Sequence, residues 1–103
     1  MLPQPRSAAE AVEREAARVV ARLDALSPTR VPVDVVRPWV QDLADVVRAA
    51  EGLPPHAVPD LAPHGWADLV RVVVGDLVLL DPADEEPWWQ VRELLEGLRR
   101  ALP

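Results

Sequence analysis

Cysteine, lysine, phenylalanine and tyrosine are all missing from this 103-residue chain. Without cysteine there are no disulfides, no thiolate metal sites and no cysteine nucleophiles. All basic charge falls to 11 arginines, and all aromatic mass to four tryptophans, Trp39, Trp66, Trp88 and Trp89. Serine is almost missing as well. Only Ser7 and Ser27 occur, and Ser7 suits a helix cap, so no serine nucleophile with a neighbouring base is visible. No apolar run approaches the roughly 18–20 residues that a membrane-spanning helix needs. The leading residues, Met1-Leu2-Pro3-Gln4-Pro5-Arg6, lack the apolar stretch of a secretory signal, and cytoplasmic residence is the expectation. No phosphate-cradling glycine loop is present.

What is present defines a small packed domain. Half of the residues are apolar, enough for a single core burying roughly 60–70% of the surface that the unfolded chain exposes. Heavy use of Ala, Val, Arg and Pro fits a GC-rich bacterial genome. The net charge of −6 comes from acids spread along the chain. This disfavours nucleic acid and anionic lipid as partners, since both require a basic face. Solubility accounts for such a charge; a basic partner protein is the functional counterpart.

Twelve prolines organise the rest, eleven of them clustering at residues 3–5, 28–38, 54–63 and 82–87. Proline has no N–H and clashes inside a helix, so clusters separate helices. The expected fold is all-α, a four-helix bundle-like single domain with proline-rich connectors. Helices are expected at about 7–27, 35–51, 64–80 and 87–102, with an ordered connector over 53–63. Despite comparable length, the chain is not similar to the helical-hairpin proteins built on a Trp-X-Gly turn. His64-Gly65-Trp66 reverses that order, and the prolines preclude two long helices.

The first helix carries a capping box, Ser7-Ala8-Ala9-Glu10, and a stripe of Val12, Ala16, Val19, Val20, Leu23 and Leu26 at helical spacing. Glu10–Arg14 and Glu15–Arg18 are attractive pairs. The second begins near Val35 or Pro38, with Asp34 as candidate N-cap. It ends at Gly52, where a left-handed cap followed by Leu53 and Pro54-Pro55 forbids continuation. The connector, lacking Gly and Ser, is no flexible linker; Leu53, Val58 and Leu61 are expected to pin it to the bundle. The third segment admits two readings. Gly75-Asp76 amid aliphatics resembles a hairpin turn, but Trp66, Leu69, Val70, Val73, Leu77 and Leu80 trace a helical stripe, and helix is favoured. Gly75 then costs about 1 kcal/mol against Ala, suggesting close approach of a neighbouring helix. Its apolar character nearly all round suggests a central helix or one covered by another subunit. The fourth has acids at its start, Pro87 as first residue, Arg99 and Arg100 in its last turn, and a stripe through Trp88, Val91, Leu95, Leu98 and Leu102. Trp89 lies about 100° from Trp88 and is expected to be partly exposed.

Chemistry-bearing clusters are sparse. His56, Asp60 and His64 are candidate zinc ligands, but their regular spacing has no meaning in an extended segment, and they read as solvated. Asp81, Asp84, Glu85 and Glu86 suit a helix N-terminus better than a cation site. The pairs Asp42/Asp45 and Glu93/Glu96 interleave with Arg48, Arg92 and Arg99 as solvated faces do. No enzyme signature or cofactor site emerges. The candidate interface residues are Val72, Leu79 and Trp89, with Trp39 a fourth, because tryptophan and large exposed apolar groups concentrate at binding surfaces. The leading expectation is a non-enzymatic interaction module that self-associates, as a homo-oligomer, through the third and fourth helices. The alternatives are a small-molecule pocket lined by Trp39, Trp66 and Trp88, or an acidic antitoxin, immunity or regulatory partner of a basic protein.

Overall fold

The computed structural model describes residues 8–103, which form four α-helices and no strand. α1 spans Ala8–Ala25, α2 Val33–Ala50, α3 Gly65–Leu80 and α4 Glu86–Ala101. The all-α reading holds, and α1 and α4 bury their predicted stripes; in α3 Trp66, Val70, Val73 and Leu77 are buried, whereas Leu69 is half-buried and Leu80, at the helix end, is exposed. Val12, Val19, Val36, Val40, Val70 and Val91 are among the residues with no more than 1% exposure, packed around Trp66, Leu43, Leu77, Leu95 and Leu98. Each such side chain contributes about 1.5–3 kcal/mol by leaving water.

Several boundaries differ from expectation, each for a local reason. The Ser7 cap falls outside the described residues. α1 stops two residues early, and Pro28–Arg30 forms a 3-10 turn closed by Arg30 N–H donating to the Ser27 carbonyl at 2.8 Å. α2 starts at Val33, not at Val35 or Pro38, because the Pro32 carbonyl accepts from both Val35 and Val36 at 2.9 Å and nucleates the first turn. Asp34 therefore lies inside that turn and makes no cap, while Pro38 sits in the helix interior on an exposed face. At the other end Gly52 adopts φ 76°. Gly52 N–H reaches the Ala49 carbonyl and Leu53 N–H the Arg48 carbonyl, at 3.0 and 2.8 Å, the paired bonds of a Schellman cap. α3 is helix throughout, which removes the hairpin reading; Asp81, at φ 47°, closes it with an N–H bond to Leu77. α4 starts at Glu86, so Pro87 is its second residue.

Packing partners define the layout. α1 packs on α3 and α4, and α2 packs on the same two; α1 and α2 lie on one diagonal, α3 and α4 on the other. Directions follow from residue pairs. Asp24 late in α1 meets Arg71 early in α3, so these run antiparallel. Arg22 late in α1 reaches the Leu102 carbonyl just beyond α4, and Ala8 and Ala11 share a notch with Trp88 and Trp89, so α1 and α4 run parallel. Arg37 early in α2 stacks on Trp66 early in α3, a parallel pair.

A parallel α2–α3 pair requires the chain to travel back along about 27 Å of helix, and the proline connector does this. Arg48 Nε donates to the Pro54 carbonyl at 2.6 Å, and Gln41 Nε2 to the His56 carbonyl at 3.0 Å. Val58 N–H donates to Gln41 Oε1 at 2.8 Å, and Arg37 pairs with Asp60. The contacts descend α2 as the connector advances, so it is an extended strap laid antiparallel on α2. Its prolines lower the number of N–H groups that such a strap must satisfy. Val58 and Leu61 pack against the core as expected, whereas Leu53 is exposed.

Two expectations about α3 are overturned. It packs mainly on α1 and α2 and keeps an outward face, so of the two alternatives, central or covered by another subunit, the central one falls. Gly75 admits no close neighbour either, since a Cβ built there meets nothing within 4 Å. The close approach occurs at Gly97 in α4, where a Cβ would overlap the Trp39 ring.

Candidate functional site

Four helices in this arrangement give four edges, and side chains finish each edge differently. On the α2/α3 edge the proline strap is bonded to Arg37, Gln41 and Arg48 of α2, and Arg37 stacks on Trp66 of α3. The α1/α4 edge is locked by charge. Glu15, only 4% exposed, accepts from Arg18 at 3.1 Å and from Arg99 across the interface, and Arg22 donates to the Pro103 carbonyl at 2.7 Å. Arg99 thus bridges helices rather than merely facing the α4 terminus. A buried carboxylate is tolerable only when paired in this way.

The α1/α3 edge is open and apolar. Ala16, Ala17 and Ala21 on one side and Gly75 on the other are too small to fill the space, leaving a groove of about 720 Å³ floored by Val20 and Val74. Its rim carries one arginine, which is paired, among acids. Arg71 pairs with Asp24 at 3.1 Å and with Asp68 at 2.7 Å, and Glu13 stands at the far end. Leu79 borders the groove with 86% of its surface exposed, and Val72, two turns earlier on α3, is 57% exposed.

The α2/α4 edge is the opposite one, sharing no helix with α1/α3, and it is acidic. A groove of about 600 Å³ runs between Asp42 and Asp45 on α2 and Glu93 and Glu96 on α4, with Arg100 as its one basic group. Trp39, half-buried, is seated over Gly97, and Val46 and Leu94 complete the apolar wall. Gln41 binds Asp45 at 2.9 Å and Arg92 binds Glu96 at 3.3 Å.

The candidate residues are therefore dispersed. Val72 and Leu79 share the outward face of α3, while Trp39 lines the α2/α4 groove. Trp89, 60% exposed, stands at the start of α4 beside the first turn of α1. The three tryptophans proposed to line one pocket are also separated. Trp66 is fully buried under the Arg37 guanidinium, 5.3 Å from the ring centroid, with its indole N–H unpartnered. Trp88 is buried and donates to the Pro82 carbonyl at 3.0 Å. Asp60 is held by Arg37, and His56 offers its backbone to Gln41. Among the described residues no group of three His, Cys, Asp or Glu is placed to hold a metal ion. Asp81 caps α3, and Asp84 accepts from the Glu86 N–H at 3.0 Å. No helix among the described residues is long and apolar enough to cross a membrane.

Spacing alone did not reveal Gly97 or the alanine-lined side of α1, because both depend on which helix lies opposite. The only prior signal was the run of alanines on the polar flank of α1. Comparison of the chain with protein-family models, curated proteins and solved structures finds no match.

Proposed function

We propose that the protein is a non-enzymatic interaction module that self-associates through its α1/α3 face. The observation that carries this reading is the outward stripe Val72–Gly75–Leu79. Two large apolar side chains stand in solvent on either side of a mid-helix glycine. That glycine costs about 1 kcal/mol against alanine and relieves no crowding within the monomer. A second copy supplies the missing reason. With a two-fold axis near Gly75, the α3 helices cross where no Cβ intervenes, and Leu79 of each copy enters the alanine-lined groove of the other. The same operation brings Arg71, at one end of the face, toward the second copy's Glu13 at the other, so the charges complement each other. Trp89 lies off this face, so the reading departs from the expected pairing of the third and fourth helices and takes α3 with α1.

Sedimentation of the wild type and of Leu79→Glu tests the reading. The wild type is expected to form dimers, and the variant to be a monomer with unchanged helicity and, at concentrations where both are monomeric, an unchanged melting temperature. A variant that still dimerises would reject the α1/α3 face; one that unfolds would assign Leu79 to the core.

A further inference from the structure

We propose that the α2/α4 groove is a docking site for a basic amphipathic helix of another protein, a function separate from self-association. The helix would lay its apolar stripe on Trp39, Val46 and Leu94 and present arginine or lysine to both banks. The shape fits this occupant. Gly97 lies opposite Trp39 early in α2, while Gln90 and Val46 line the other end, so α2 and α4 run antiparallel and form a straight trough. A helix seated in a groove is a recurring mode of peptide recognition.

Charge selects its sign. The banks carry Asp42 and Asp45 on one side, Glu93 and Glu96 on the other, each pair at i, i+3, against the single guanidinium of Arg100. The lining therefore holds three net negative charges, with Glu96 paired to Arg92 from outside the lining. Asp42 and Glu93 are exposed and face outward along the rims. The lining of the opposite α1/α3 groove holds two acids and one arginine, a net of one negative charge, so the negative charge is greater at this edge. The indole adds a second preference for the same sign. Trp39 is kept half-open over Gly97, and an aromatic face attracts guanidinium and ammonium groups.

The test uses a synthetic helix bearing leucine on one stripe and arginine at every fourth position on the other, with counterparts carrying glutamate or glutamine at the arginine positions. Titration calorimetry measures affinity, and NMR locates binding through the Trp39 indole N–H and the amides of Asp42, Glu93 and Gly97. The arginine helix is expected to bind at these positions. Affinity should fall about tenfold in the Asp42→Asn/Glu93→Gln double variant, which removes two exposed charges. It should fall further as salt rises from 0.1 M to 1 M and the screening length drops from about 10 to about 3 Å. Trp39→Leu keeps an apolar wall but removes the aromatic face, and should weaken binding a few-fold. Absence of binding, equal binding of the glutamine or glutamate helix, or shifts confined to Val74, Gly75 and Val78 would each overturn the proposal. The last of these would point to the α1/α3 face, so failure here is distinguishable from failure of the self-association reading.

Discussion

Gly75 and Gly97 sit in the interiors of two helices on opposite sides of the bundle, and they do opposite things. Gly97 is filled: the Trp39 ring occupies the place where its side chain would be. Gly75 is empty: nothing in the monomer approaches it. In a helix each glycine carries the same backbone penalty, so the environment decides what offsets it. At Gly97 the offset is packing within the chain. At Gly75 no intramolecular contact supplies one, which is why the α1/α3 face is read as awaiting a second copy.

The sharpest way to break this comparison is at the closed α1/α4 edge, which sets the scale for a finished interface. Glu15→Ala leaves Arg99 without its buried partner. A fully buried pair broken this way costs about 3–5 kcal/mol, but Arg99 is one-third exposed and can reach water, so about 2–3 kcal/mol is expected in a urea titration. Next comes Gly97→Ala. The added methyl forces Trp39 from its seat, and overpacking of about 1–3 kcal/mol outweighs the gain in helix propensity. Net destabilisation of about 1–2 kcal/mol, with a red shift of tryptophan emission, is expected. Gly75→Ala carries the opposite sign. The monomer gains up to about 1 kcal/mol, while dimerisation weakens because a Cβ now stands at the helix crossing. A Gly75→Ala protein that is less stable than wild type at concentrations where both are monomeric would show that the glycine serves the monomer.

Much of this architecture was legible in the sequence because proline and glycine act locally. The stop at Gly52-Leu53-Pro54-Pro55 needed only backbone geometry, and the core stripes of α1 and α4 needed only helical spacing. The apolar positions of α3 favoured helix without excluding the hairpin, because Gly75-Asp76 imitates a turn. The start of α2 was misread because Pro38 looks like a first-turn residue. The Pro32 carbonyl nucleates the helix five residues before the ring becomes a problem.

The surfaces were harder to read. Exposure of Val72, Leu79 and Trp89 followed from the helical wheel, but their separation onto different edges depends on the order of helices around the core. Glu15 looked like half of a local pair with Arg18, and its burial against Arg99, 84 positions away, is visible only once α1 and α4 are parallel. The two acidic pairs read as solvated faces for the same reason: neither is a trough until the other lies opposite. Parallel pairing of α2 with α3 had one sequence signal, the length of a connector stiff enough to span a helix.

The most direct measurement is absolute mass by light scattering behind a sizing column, over a concentration series. The account predicts a mass that climbs from 11.3 kDa toward twice that value as concentration rises, a climb abolished by Leu79→Glu and retained in the Asp42→Asn/Glu93→Gln double variant. A mass fixed at that of the monomer at every concentration would contradict it, leaving Val72, Gly75 and Leu79 without a second copy to cover them.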